Sequence, residues 1–292
     1  MKTWVKKNLL TVLMACGMLA GVFLLLYPSV SNYWNSFHQT RAISEYSEAV
    51  STMDKDEQKE IIESARVYNE KLAETGILWN MTEAQRAEYN KELSIDGSEV
   101  MAVVSIPKFH IRCPIYHGTD ETVLQIAVGH IEGSSLPVGD KDTHTIISGH
   151  RGLPSARLFT DIDKIKEGDT WTINVLNETL TYECDQIRIV LPDDLSGLRI
   201  EEGRDLCTLV TCTPYGINTH RLLVRGHRIP NANGSAEITA DAIQVEPVFV
   251  ALFLAIPVLM LLIIILLIST RRAVRSDSEE TKEQYLRGKG LD

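Results

Sequence analysis

From Glu99 onward the chain breaks into short β-type runs, "VMAVVSIP", "HIRCPIYH", "THTIISG", "TWTINVLN", "TLTYECDQIRIVL", "LCTLVTC" and "HRLLVRGHRI", punctuated by glycine, proline and aspartate. Seven or eight such strands packed into residues 99–230 predict a mainly β domain, either a closed barrel or a sandwich. Helical interruptions are expected at "ETVLQIAVGHI" and "PSARLFTDIDKI". The stretch before it, residues 31–98, is of another kind. "SNYWNSFHQTRAISEYSEAV" and "DKDEQKEIIESARVYNEKLAE" lack glycine and proline, and Ile61, Ala65, Tyr68 and Leu72 recur at helical spacing, so two helices are predicted. "MTEAQRAEYNKEL" adds a short third helix with Thr82 as its N-cap.

Both ends are apolar. Leu9 to Tyr27 is an uncharged run behind Lys2, Lys6 and Lys7, and at about 1.5 Å per helical residue it matches a bilayer core. "LMAC" ending at Cys16 resembles a lipoprotein processing site, but the run continues through "GMLAGVFLLLY" where such a site would turn polar, so the segment reads as an uncleaved transmembrane helix. Val248 to Ile268 is a second run, interrupted by Pro257 and followed by Arg271, Arg272 and Arg275. The flanking charges place both termini in the cytoplasm by the positive-inside rule. The expected organisation is a stub and membrane helix over 1–30, an outward helical segment over 31–98, the β domain over 99–230, a polar linker over 231–246, a membrane helix over 247–270 and a cytoplasmic tail over 271–292. Residues 31–245 carry 33 acidic against 20 basic side chains, net −13, which argues against nucleic acid or anionic lipid as the ligand.

The outward part holds Cys113, Cys184, Cys207 and Cys212 in no metal-site or disulfide-framework spacing. Cys207 and Cys212 lie five apart on one predicted strand and so face opposite ways. An exported domain that keeps unpaired thiols needs a reason for them, and catalysis is one. A thiol with a pKa near ~8.5 needs a base or a positive neighbour to act as a nucleophile at neutral pH. His110, His117, His130, His144, His150, His220 and His227 are candidates; His150, in "SGHRG" where the chain leaves an apolar strand, is the one best placed to project into a cleft. His220 and Arg221 are neighbours on a strand, so at most one of them faces Cys212. "TPYGINT" is long enough to turn the chain back, which makes Arg221 and Arg225 residents of the strand beside the cysteine strand. A guanidinium there could hold a carbonyl or stabilise an oxyanion, whereas a salt bridge to one of the many carboxylates is the ordinary expectation for Arg225.

At these residues a resemblance enters. "TLVTCTPYGINTHRLLVRG" resembles the active-site signature of sortases, and "THTIISGHRGLPSARLFTDI" is similar to their histidine motif. With "PIYHGT", "GHIEGSSLPVG" and the second apolar run, the similarity is to class C sortases, the pilin polymerases of Gram-positive bacteria. The resemblance implies a closed eight-stranded β-barrel with short helices, Cys212 as nucleophile, His150 as acid/base and Arg221 as substrate or oxyanion clamp. It implies transpeptidation: Cys212 attacks an LPxTG-like sorting signal, a thioacyl enzyme forms, and an amine, expected to be a pilin lysine, takes the acyl group, with a cell-wall precursor as the alternative amine. No metal or organic cofactor is implied. A membrane-anchored cysteine peptidase and a non-catalytic binding module stay open as alternatives.

The family pattern is incomplete at one place. Class C members commonly carry a lid with an Asp-Pro-aromatic anchor, and this sequence contains no Asp-Pro. The corresponding stretch, "ETGILWNMTEAQ", offers Trp79 as its bulky aromatic.

Overall fold

The computed structural model describes residues 9–231 together with Met260, Ile264 and Ile268. The second apolar run as a continuous segment, the linker past residue 231 and the 271–292 tail lie outside the described residues. The chain divides into two units, Met1–Ser29 with Ala240–Asp292, and Val30–Thr239. In the first, the described residues 9–29 are helical, with Phe23, Leu24 and Leu25 exposed. Among the described residues one helix is long and apolar enough to cross a membrane, over Cys16–Thr52.

The helical segment of the second unit is built from the signals read in the sequence. The apolar run and the first polar helix belong to one helix, α1 (Leu9–Thr52), with Pro28 inside it. Helix α2 (Lys55–Thr75) starts at Asp54, whose side chain accepts the Asp56 N–H, and stops at Gly76. Its buried residues include Ala65, Tyr68 and Leu72 from the expected stripe. Helix α3 (Glu83–Tyr89) opens with a capping box between Thr82 and Gln85. These helices do not stand apart from the barrel: Ile43, Tyr46, Val50, Ile62, Leu72 and Tyr89 share one core cluster with the strands. Asn69 of α2 clamps the backbone of Leu136, donating to its carbonyl at 3.0 Å and accepting its N–H at 2.7 Å.

Eight strands follow: β1 (Val100–Ile106), β2 (Ile111–His117), β3 (Val128–His130), β4 (Thr143–Ser148), β5 (Thr170–Val175), β6 (Glu178–Val190), β7 (Asp205–Thr213) and β8 (His220–Ile229). They close into a barrel in the order β1-β2-β3-β4-β7-β8-β6-β5. A barrel, not a sandwich, is therefore the arrangement adopted. The eighth strand, β3, hides in the stretch expected to be helical: a one-turn helix α4 (Glu121–Leu124) precedes it, and it is three residues long. The second expected interruption contains a 3-10 turn at Ile162–Lys164.

Two pairings are parallel, β2 with β3 and β4 with β7, and the remainder are antiparallel. The C-terminal ends of β1, β4, β6 and β7 therefore meet the N-terminal ends of β2, β3, β5 and β8 at one end of the barrel. The end of the cysteine strand and the exit after "THTIIS" share that end.

Candidate active site

The parallel register of β4 and β7 aligns Ser148 with Val210. The pairing is carried beyond the strand: Gly149 donates its N–H to the Val210 carbonyl at 3.0 Å, and Thr211 Oγ1 donates to the Gly149 carbonyl at 2.7 Å. His150 follows in the loop that leaves β4, and the next residue, Arg151, reaches the end of β7 by donating to Thr213 Oγ1, so the loop runs alongside the end of the cysteine strand. On the other flank of β7, Cys212 is directly paired with Arg221 of β8. Directly opposed residues of an antiparallel pair share a face, so Arg221 and not His220 is the member of that couple on the cysteine's side. Two adjacent strands, spaced by about 4.8 Å, thus set Cys212 and Arg221 side by side, and the loop after β4 carries His150 at the same barrel end.

Gly149 makes the exit possible. A Cβ there would lie 2.7 Å from the Phe159 ring and 2.8 Å from Val128, so the chain leaves β4 through a gap that admits no side chain. His150 Nε2 is buried without a hydrogen-bond partner among the described residues and lies 3.8 Å from Glu121 Oε2. The next residue, Arg151, ties the loop down: it pairs with Asp163 at 2.5 Å, donates to Thr213 Oγ1 at 3.2 Å and lies over the Tyr215 ring. Nothing in the sequence pattern singled out Glu121, Arg151 or Asp163. The one clue was that Arg151 follows the histidine directly.

Burial separates the thiols. Cys113, Cys184 and Cys207 are buried, whereas Cys212 is partly open to solvent. Burial pushes the thiols of Cys113 and Cys207 up to about 12 and that of Cys184 up to about 11, far from the range in which a thiolate forms at neutral pH.

The histidines separate in the same way. His130 is fully buried, donating from Nε2 to the Ser135 carbonyl at 2.9 Å and accepting the Tyr89 hydroxyl at Nδ1 at 2.8 Å. His144 donates from Nδ1 to the Arg199 carbonyl and accepts from Thr208 Oγ1, both at 2.7 Å. Burial drives each down to about 4, so both are neutral framework groups with their two nitrogens already engaged. His117 is likewise held, by the Glu92 carbonyl at 2.7 Å. His227 pairs with Leu206 toward the opposite end of β7. His150 lies in the loop after β4, at the barrel end that also holds the end of the cysteine strand.

The two arginines differ as sharply. Arg225 holds Asp185 through Nε at 2.9 Å and Glu201 through Nη1 at 2.7 Å, the salt-bridged state expected for it. Arg221 has no carboxylate within salt-bridge distance among the described residues; its guanidinium donates to the carbonyls of Asn218 and His220 at 3.3 and 3.2 Å. It is left with donors to offer.

The floor of the face that carries Cys212 is apolar. Val210, Leu223, Ile146, Val190 and Leu198 form a second buried cluster, and Ile77 and Ile131 pack against it. Ile77 belongs to the segment between α2 and α3, which Leu78 fastens to the barrel by donating its N–H to the Gly133 carbonyl at 3.0 Å. The residue seated on the floor is therefore Ile77; Trp79, the aromatic singled out by its bulk, is 38% exposed.

The Sortase domain profile matches residues 104–229. Over a larger part of the chain, the crystal structure of sortase C1 from Streptococcus agalactiae superposes with a TM-score of 0.65 at 57% identity, covering 66% of this chain and all of that one. The chain belongs to the sortase family. Other relatives of this sortase agree: Streptococcus pneumoniae sortase C superposes with a TM-score of 0.60 at 43% identity, over 68% of this chain and 100% of that one. Sortase D of Bacillus subtilis is 26% identical over 174 residues, 59% of this chain and 84% of the relative. Its structural neighbours include several class C sortases, and like other sortases it is a cysteine transpeptidase.

Proposed function

We propose that this sortase is a membrane-anchored class C enzyme that joins pilin subunits through an isopeptide bond, with Cys212 as nucleophile, His150 as acid/base and Arg221 as the oxyanion and substrate clamp. The observation that supports the reading is the direct pairing of Cys212 with Arg221 across β7 and β8, with His150 in the loop after β4 at the same barrel end; the cysteine is the partly open thiol of the barrel, and the arginine has no carboxylate within salt-bridge distance among the described residues. In the first half-reaction Cys212 Sγ attacks the carbonyl of the Thr-Gly-type bond in an LPxTG-like sorting signal. Arg221 donates hydrogen bonds to the developing oxyanion, and His150 delivers a proton to the departing amine. The C–N bond breaks and a thioester remains on Cys212. In the second half-reaction an amine, a pilin lysine, attacks the thioester carbonyl while His150 takes its proton, and Cys212 leaves as the thiolate.

The choice of amine is supported by the neighbours: the Streptococcus pneumoniae structure is described in terms of pilin substrate specificity. Anchoring rests on the apolar N-terminal helix and on the second apolar run, Val248 to Ile268, with both termini cytoplasmic and residues 31–245 outside. The test mixes the full chain in detergent with a sorting-signal peptide and competing amines, a pilin lysine peptide and a wall-precursor peptide, and identifies adducts by mass. An isopeptide to the pilin lysine is the expected product. Exclusive transfer to the wall amine would make the enzyme an anchoring sortase, and release of free acid in the presence of both amines would make it a peptidase.

A further inference from the structure

Helix α1 packs on the barrel through a polar stripe at its membrane-proximal part. Asn32 Oδ1 accepts the Arg157 N–H at 2.8 Å, Asn35 donates to the Gln125 carbonyl at 3.5 Å and Gln39 to the Ile126 carbonyl at 2.5 Å. These partners belong to the two loops that surround His150. Arg157 lies in the loop that closes on itself where Phe159 donates its N–H to the His150 carbonyl at 3.2 Å. Gln125 and Ile126 follow α4, whose Glu121 carboxylate is 3.8 Å from His150 Nε2. Further along α1, Tyr46 bonds Met101 and Leu176, at the start of β1 and the end of β5, which is the opposite end of the barrel. The helix therefore meets the barrel first at its catalytic end.

Chain length converts this into a distance from the bilayer. The apolar run ends at Tyr27, five residues before Asn32, a span of about 7.5 Å if helical and at most about 18 Å if fully extended. On the same turns, Trp34 and Phe37 are 66% and 55% exposed; the amphipathic tryptophan ring settles at the level of lipid headgroups, and a phenylalanine beside it beds into the headgroup–acyl boundary. We infer that the catalytic end of the barrel faces the membrane at short range, with Trp34 and Phe37 seated in the interfacial layer, so that the lipid surface is itself a partner of the catalytic unit. The inference rests on the membrane-anchored reading proposed above. Its consequence is that a sorting signal held close to the bilayer meets Cys212 directly, whereas one carried far out into the wall does not.

The test uses the full chain with Cys16→Ser and Cys212→Ala, carrying a donor fluorophore at Thr122→Cys on the catalytic end or at Lys141→Cys on the opposite end, two exposed positions. It is reconstituted in phosphatidylcholine–phosphatidylglycerol vesicles with a trace of headgroup-labelled acceptor. The nine residues of β7 separate the two ends by roughly 20 Å or more along the barrel after allowing for strand tilt. Transfer from position 122 is expected to exceed that from 141 several-fold, and Trp34→Ser with Phe37→Ser to shrink the difference. Equal or reversed transfer in protein that floats with the vesicles overturns the orientation while leaving the anchor intact. Protein that fails to float overturns the anchored reading and the orientation together.

Discussion

The contact between Ile77 and the floor of the cysteine face makes a quantitative prediction. Truncating a fully buried isoleucine to alanine costs about 2–5 kcal/mol. Ile77 is half-buried against the cluster of Ile146, Val190, Leu198, Val210 and Leu223, so Ile77→Ala should weaken the seating of the 76–82 segment by about 1–2 kcal/mol. With ~1.4 kcal/mol per factor of ten, the fraction of molecules with the segment lifted rises about 5- to 30-fold. If reagent reaches Cys212 through that lifted state, the alkylation rate should rise by the same factor. The assay is the rate of iodoacetamide addition to Cys212 in the full chain carrying Cys16→Ser, followed by intact mass. Trp79→Ala should raise the rate less, because its ring is 38% exposed and loses less buried contact. Gly133→Ala should act in the same direction as Ile77→Ala: at φ +78 its new Cβ would fall 2.2 Å from the Leu78 carbonyl oxygen and push the segment outward. An alkylation rate unchanged within about twofold in Ile77→Ala would refute the idea that this segment governs access to the thiol.

Other expectations follow from the same geometry. With thiols raised to about 12 at Cys113 and Cys207 and about 11 at Cys184, their thiolate fractions at pH 8 are on the order of 10⁻³ or less, so Cys212 should be the barrel cysteine that labels, and Cys212→Ala should abolish the thioacyl adduct seen by mass. His150→Ala should lower transpeptidation by roughly 10²-fold or more, the scale of general acid–base catalysis, with His220→Ala close to wild type in the same peptide assay. Arg221→Lys should cut turnover while leaving the melting temperature in place. Arg225→Lys should do the reverse, because it breaks a planar fork shared by Asp185 and Glu201. Burial raises the Asp205 carboxyl to about 6, above its ordinary value near ~3.9. The folded state then holds the proton that the unfolded state has released, so stability falls as pH climbs from about 4 to about 6. Asp205→Asn should flatten that slope in denaturant titrations and, at pH 7, recover on the order of 2 kcal/mol.

The pairing of Cys212 with Arg221 was legible because alternation along β8 allowed only one of His220 and Arg221 to share the cysteine's face, and the register puts Arg221 opposite the cysteine; His150 was singled out because it sits where a strand meets a glycine-bearing turn. The strands themselves were legible where four or more apolar or β-branched residues stand together. Strand β3 was not: at three residues, Val128–His130, it is too short to show a period, and its pairing with β2 and β4 comes from the barrel around it. The choice between barrel and sandwich was also out of reach of the strand pattern, since closure depends on the β1–β5 pairing between distant residues. Trp79 stands out by size, yet Ile77 is the half-buried side chain of that segment that packs against the apolar cluster, while Trp79 is 38% exposed. The neutral roles of His130 and His144 depend on carbonyls contributed by Ser135 and Arg199, which no spacing rule marks.

Tyr46 bears on where the smallest independently folding enzyme begins. It is fully buried, its hydroxyl donates to the Met101 carbonyl at 3.3 Å and accepts the Leu176 N–H at 2.7 Å. Removing everything before α2 would lose both hydrogen bonds, worth about 0.5–1.5 kcal/mol each, and would uncover the apolar surface on which Ile43, Tyr46 and Val50 pack, at about 1.5–3 kcal/mol per large side chain. That is a large share of the ~5–15 kcal/mol that keeps a domain folded. The matched family region starts at residue 104, but Ile43, Tyr46 and Val50 share one core cluster with the strands, so shortened versions that begin after Thr52 should be recovered as aggregates and those that begin near Val30 as soluble enzyme.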